Sequence, residues 1–205
     1  DESVTFKNTT VTKEDYISRR LPYEIKEGNC NCYEEIISTL YDPTEREKLE
    51  WAIGSIINGD SKNIQKFIVL YGDKGTGKST VLNIYQEMLK GYWSTFTAKD
   101  LGSSNVSFAL EAFKDNPLIA IQHDGDLSKI EDNTRLNSIV SHEPLEIDVK
   151  FAPKFPLRLN SFLFMGTNKP VKITDSKSGL LRRLIDVYQI QIGRAVQQEC
   201  RDRYR

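Results

Sequence analysis

A chain of 205 residues has room for one α/β domain with a short extra module, and it is long enough to bury a real core. Hydrophobic content of 39% and charged content of 28% are ordinary for an ordered globular chain, and no apolar stretch approaches the roughly 18 residues that cross a bilayer; disorder and a helical membrane protein are excluded. A formal net charge of −1 excludes a surface coated in positive charge but leaves room for a local basic strip.

The chain opens on Asp1, Glu2 and Ser3 without the basic stretch and apolar core of a secretion signal, so a cytoplasmic location is expected. Residues 1–28 are polar, with Tyr16, Ile17, Leu21 and Ile25 as scattered apolar positions, and read as an arm that packs on something else. Cys30, Cys32 and Cys200, with His123 and His142, form no recognised zinc spacing. Tyr33–Tyr41 reads as a helix. After Asp42 and Pro43, Thr44 with Glu47 three places on is a capping box, so a second helix is expected to start there. Leu49, Ala52, Ile53, Ile56 and Ile57 form its core-facing stripe, and Gly59 supplies the stop. Residues 1–60 are therefore read as an arm and a small helical module.

Phe67–Tyr71 is a short apolar run of strand formers followed directly by a glycine-rich turn, the pattern of a buried parallel strand. Ser79–Lys90 reads as a helix. Further buried runs lie at Leu118–Ile121, after Asn116 and Pro117, and at Ser161–Met165, before Gly166; Leu184–Ile192 holds a fourth candidate strand. Helical patterns between these runs predict an α/β fold with a central parallel sheet flanked by helices over residues 61–192, followed by a charged tail at 193–205.

Between the first strand and its helix stands Gly72-Asp73-Lys74-Gly75-Thr76-Gly77-Lys78-Ser79, with Thr80 behind it, which fits G-x-x-x-x-G-K-[ST], the P-loop or Walker A spelling. Its glycines let backbone N–H groups turn inward around phosphates, and the following helix presents its positive N-terminus. Lys78 is expected to reach the β- and γ-phosphates of ATP or GTP, and Ser79 to hold Mg²⁺. The alternative is a glycine turn with no ligand.

Hydrolysis needs a carboxylate for Mg²⁺ and the attacking water at the end of a neighbouring strand. His123-Asp124-Gly125-Asp126 follows Leu118–Ile121; Asp124 is the first choice, Asp126 the second, and a solvated Asp-Gly turn the alternative. His123 suits a proton acceptor or is simply a strand-end residue. The third strand ends in Gly166-Thr167-Asn168-Lys169-Pro170, where Asn168 is a candidate γ-phosphate sensor or a turn former. In Gly179–Leu184, Arg182 and Arg183 are candidate arginine fingers for a neighbouring subunit, or else a solvated or salt-bridged pair.

Taken in order, Gly72–Thr80, Leu118–Asp126, Gly166–Pro170 and Gly179–Leu184 resemble the superfamily 3 helicases, and more narrowly the helicase part of phage and plasmid primase-helicases and their poxvirus-type relatives. The resemblance spans roughly Ile64 to Ile190. It implies an AAA+-like P-loop ATPase fold, a hexameric ring, and ATP-driven movement on single-stranded DNA during replication of a phage, plasmid or virus, in the host cytoplasm. It makes Asn168 the sensor and Arg182 or Arg183 the finger. It also implies a hairpin between the second and third motor strands that carries basic residues into a central channel. Leu145–Lys150 alternates as a strand should, and Lys150 and Lys154, around the Phe151-Ala152-Pro153 turn, are the nucleic-acid candidates; an ordinary exposed hairpin is the alternative. Gln122–Asp126 departs from the family's adjacent acidic pair. The family's primase domain is expected upstream, in a longer parent.

Two other functions fit the P-loop. An AAA+ loader or assembly switch would use ATP without unwinding, and a small-molecule kinase would need a lid richer in arginine than Arg182 and Arg183 supply. A binding-only relic would have lost hydrolysis.

Overall fold

The computed structural model describes residues 21–23, 26–103, 106–127, 130, 132–169 and 179–190. Tyr16, Ile17, Ile25, Pro170, Ile192, Cys200 and the tail at 193–205 lie outside the described residues. The elements in chain order are α1 (Asn31–Leu40), α2 (Pro43–Ile57), β1 (Phe67–Tyr71), α3 (Lys78–Met88), β2 (Trp93–Thr95), α4 (Ala98–Leu101), β3 (Ile119–Gln122), α5 (Thr134–Val140), β4 (Pro144–Ile147), β5 (Phe155–Arg158), β6 (Phe162–Thr167) and β7 (Leu184–Tyr188). Five strands form one parallel sheet in the order β2-β3-β6-β1-β7, while β4 and β5 pair antiparallel as a separate hairpin. The protein is thus α/β with a parallel central sheet.

Alternation along each strand builds two cores. Ile68, Leu70, Ile121, Phe162, Phe164 and Val187 face α1, α2 and α3, while Phe67, Val69, Ala120, Leu163 and Met165 face α4, α5 and the hairpin. Covered on both faces, β1, β3 and β6 read in the sequence as unbroken apolar runs. The helices α1 and α2 share their core with the sheet and α3, and Leu21 packs against the same cluster. Each fully buried Leu or Ile there contributes roughly 1.5–3 kcal/mol.

The second helix begins two residues earlier than the capping-box reading, and its cap is different. Asp42 is the N-cap, accepting the N–H groups of Thr44 and Glu45 at 2.9 and 3.0 Å, with Pro43 in the first turn. An Asp cap before a proline satisfies the orphan donors and presets φ, so the cap forms ahead of Thr44. Leu49, Ala52, Ile53 and Ile56 are buried as expected, but Ile57 is exposed at the helix end. Gly59 follows with φ 79°.

The edge of β7 is closed by α2. Glu45 accepts the N–H of Tyr188 at 2.9 Å, Lys48 donates to the carbonyl of Asp186 at 2.9 Å, and the two side chains pair with each other at 2.8 Å. They occupy the backbone groups that another strand would otherwise use. At the other edge lies β2, a three-residue strand with Trp93 partly exposed. Among the described residues no helix is long and apolar enough to cross a membrane.

Candidate functional site

Because all five strands are parallel, the residues after β1, β3 and β6 gather at one edge of the sheet, the place where open α/β sheets bind ligands. After β1, Gly72–Gly77 forms the turn and α3 starts at Lys78. Gly77 caps α3 with φ 97°, a left-handed conformation that suits glycine. A Cβ at Gly77 would also lie 2.8 Å from Leu40 Cδ2, so the turn packs directly on the end of α1. Lys78 Nζ reaches back across the turn, donating to the carbonyl oxygens of Gly72 at 2.6 Å and Asp73 at 2.7 Å. Burial pushes the Lys78 ammonium below the usual lysine range, opposed by the charges of Asp124 and Asp73. Lys74, Gly75, Ser79 and Thr80 are exposed, and Thr76 is buried.

The β3 end is held against the β6 end. Gly125 N–H donates to Gly166 O at 2.8 Å, which places Asp124, exposed, within electrostatic reach of Lys78. Asp126 accepts Lys169 Nζ at 2.8 Å, and this contact raises the Lys169 pKa above the usual lysine range. Gln122, standing where the resemblance leads one to expect an acid, uses its Oε1 to accept Ala98 N–H at 2.8 Å at the start of α4. Half-buried His123 lies between them. From β6, Thr167 O accepts Gly72 N–H at 3.2 Å, which ties half-buried Asn168 to the same edge as the β1 turn.

The Gly72–Gly77 turn, Asp124, Asp126 and Asn168 therefore converge, whereas Arg182 and Arg183 do not join them. Both precede β7, whose five residues separate the two edges of the sheet by roughly 16 Å. Arg183 is 8% exposed, and its guanidinium donates to Ser141 Oγ at 3.0 and 2.7 Å, to Gly179 O at 2.9 Å and to Asn137 at 3.4 Å. It locks the Leu181–Arg183 turn to α5. Arg182 is exposed, its carbonyl accepting Lys66 Nζ at 2.5 Å.

The hairpin β4–β5 is anchored at its base. Asn116 Nδ2 donates to Arg158 O at 3.1 Å, Arg158 Nε donates to His142 O at 2.9 Å, and the His142 ring nitrogens lie 2.9 and 3.0 Å from the carbonyls of Leu159 and Ile64. At the tip, Lys154 pairs with Asp148 at 3.1 Å and Lys150 Nζ sits 5.1 Å from the centre of the Phe151 ring. Phe151 itself is 96% exposed with φ 63°.

Among the described residues no group of three or more His, Cys, Asp or Glu could hold a metal ion. Mg²⁺ does not require one, since it is ordinarily held by one or two carboxylates together with substrate phosphates. The exposed Ser79 hydroxyl and Asp124 carboxylate at the same edge suit that mode.

Sequence reading marked Gln122 only as a departure from an acidic pair, gave Lys169 and Phe151 no role of their own within their motifs, and passed over Gln189. The last follows β7 and contacts Thr76 across the sheet edge; only strand order, which no spelling encodes, brings it there.

A sequence model described as a family of unknown function (DUF5906) matches residues 70–183. No curated protein matches. Two solved structures of the NrS-1 C terminal region share the fold: one, an apo structure, superposes with a TM-score of 0.60 at 17% identity, covering 85% of this chain and 43% of that one. The other, an A form apo structure, gives 0.59 at 17% identity, covering 85% and 42%. The chain thus spans less than half the length of these relatives.

Proposed function

Since the chain belongs to DUF5906, a family of unknown function, its activity must be argued from its site, and we propose that it is an ATP-driven nucleic-acid motor with a P-loop, AAA+-like fold of superfamily 3 helicase type. The observation that carries this reading is the convergence of the Gly72–Thr80 turn, Asp124 and Asn168 on one edge of a parallel sheet, with Arg182 on the other. The strand order supports it too: β6 stands between β1 and β3, so its end delivers Asn168 between the cradle and Asp124. The fold shared with the NrS-1 C terminal region is compatible with it.

In this reading, backbone N–H groups of the turn and the N-terminus of α3 bind the phosphates of ATP, and Lys78 leaves Gly72 O and Asp73 O to follow them. Ser79 and Asp124 hold Mg²⁺, which neutralises phosphate charge. Asp124 also orients the attacking water, and Asn168 contacts the γ-phosphate. Arg182 lies too far from its own cradle to serve it, so it serves a neighbouring subunit's, and the assembly is a ring, taken as a hexamer. The hairpin carries Lys150 and Lys154 onto single-stranded DNA, and the work is DNA replication in a phage, plasmid or virus.

The test is the ATPase rate with and without single-stranded DNA, on wild type and on Arg182→Ala mixed with Lys78→Ala. Stimulation by DNA and restoration of turnover on mixing are expected. Turnover indifferent to DNA, with no rescue on mixing, leaves an ATPase switch. Phosphoryl transfer to a small acceptor would instead identify a kinase.

A further inference from the structure

Gln189, one residue beyond β7, grips Thr76 by both of its polar groups. Its Nε2 donates to Thr76 O at 3.0 Å and to Tyr41 Oη at 3.1 Å, while its Oε1 accepts from Thr76 Oγ1. The amide orientation follows from these partners, because the reversed amide would set its oxygen against the Thr76 carbonyl. Its backbone is fixed as well: Gln189 N–H donates to Tyr71 O at 3.3 Å, and Ile190 N–H donates to Leu40 O at 2.9 Å. The contact is close enough to explain Gly72, where a Cβ would lie 2.7 Å from Gln189 Oε1 and 3.0 Å from Thr76 Oγ1. Tyr41, at the α1–α2 junction, is 1% exposed.

The consequence lies in the next peptide. In a trans peptide the C=O and N–H point in opposite directions. With Thr76 O turned to Gln189, the Gly77 N–H is directed to the side of the turn away from Gln189. We propose that Gln189 is a positioning residue of the nucleotide site: it fixes the Thr76–Gly77 peptide with its N–H presented to phosphate, and through Tyr41 it ties that peptide to α1 and α2. The inference rests on the reading of Gly72–Thr80 as a nucleotide cradle. It makes the N-terminal helices part of the site, since Leu40 and Tyr41 brace the same turn that Gln189 orients.

The experiment is a calorimetric titration of the full chain with Mg·ADP and with AMP, on wild type, Gln189→Ala, Gln189→Glu and Tyr41→Phe, beside the melting temperature of each without nucleotide. Gln189→Ala is expected to weaken ADP roughly tenfold, the scale of one or two lost hydrogen bonds, with a smaller loss for AMP and little change in melting temperature. Gln189→Glu keeps an acceptor for Thr76 Oγ1 but cannot donate to Thr76 O, and should be weaker still. Tyr41→Phe should show a milder version of the same pattern. Unchanged ADP affinity in both Gln189 variants overturns the proposal, as does an equal loss for ADP and AMP accompanied by a lowered melting temperature. Failure of wild type to bind Mg·ADP overturns the nucleotide reading beneath it, and the inference with it.

Discussion

Lys78 donates to the carbonyl oxygen of Gly72, six residues earlier and on the far side of the turn it closes. With Asp73 O as its second acceptor, the ammonium occupies the interior of the loop. The two carbonyl bonds are already charge-assisted by the ammonium, but phosphate replaces neutral acceptors with an anionic one and adds ion–ion attraction. Lys78→Ala is therefore expected to abolish ATP turnover while the chain still folds, because what it removes from the fold is the pair of bonds to Gly72 O and Asp73 O. A melting curve alongside the ATPase assay separates loss of function from loss of fold.

The same lysine gives a pH dependence. Its pKa is lowered by burial, and only its charged form attracts phosphate. As pH rises through that lowered pKa the ammonium is lost, so nucleotide affinity should start to fall below the ordinary lysine value, and binding in that window should take up a proton. Titrations with ADP at pH 8, 9 and 10 check this. Lys78→Arg, which does not titrate there, should be flat across the same range, and an equal decline in both proteins would assign the effect to other groups.

The two candidate carboxylates are predicted to behave differently. Asp126 is already paired with Lys169, whereas Asp124 faces the charge of Lys78. Asp124→Asn should lower turnover a hundredfold or more, the order of loss when a transition-state charge contact is removed, and leave ADP binding largely intact. Asp126→Asn should retain most activity. Single-turnover rates on the two variants decide between them, and a larger loss at Asp126 would exchange their roles.

Much of this geometry was readable because buried parallel strands are spelled as continuous apolar runs. The strand, turn and helix around Gly72–Thr80 and the strands ending near Asp124 and Asn168 stood at nearly the observed bounds. β2 left no such run: it is an edge strand of three residues, and only Ile119–Ile121 beside it makes it a strand. The start of α2 turned on which of two neighbouring caps, Asp42 or Thr44, wins. Gln189 was invisible for a different reason. Its role depends on β7 lying next to β1, a pairing between segments more than a hundred residues apart.

The adjacent arginines of the Leu181–Arg183 turn should separate cleanly. Arg183 is buried with its guanidinium bonded to Ser141, Asn137 and Gly179. Removing it leaves those groups without their donor, at a cost of roughly 1–3 kcal/mol. Arg183→Ala should lower the denaturation midpoint, whereas Arg182→Ala should leave it unchanged and depress only turnover. If instead Arg182→Ala unfolds the chain, its use as a finger in a neighbouring site loses its support.

Phe151 poses the final question, because a fully exposed phenylalanine in a left-handed conformation brings the isolated chain neither burial nor backbone relief. Its neighbour Lys150 supplies positive charge at the same tip, where Lys154 is paired with Asp148, and the hairpin base is held by Asn116, His142 and Arg158. An anchored hairpin ending in an exposed aromatic ring beside a lysine is suited to stacking on an unpaired base while the Lys150 ammonium meets the backbone. Stacking of this kind contributes roughly 1–3 kcal/mol per base. Phe151→Ala should therefore weaken single-stranded DNA binding about tenfold with little change in its salt dependence, whereas Lys150→Ala should flatten the salt dependence by about one phosphate contact. Fluorescence anisotropy on a labelled oligonucleotide across a salt series measures both slopes. If Phe151→Ala binds as wild type does while Lys150→Ala does not, the tip acts through charge alone.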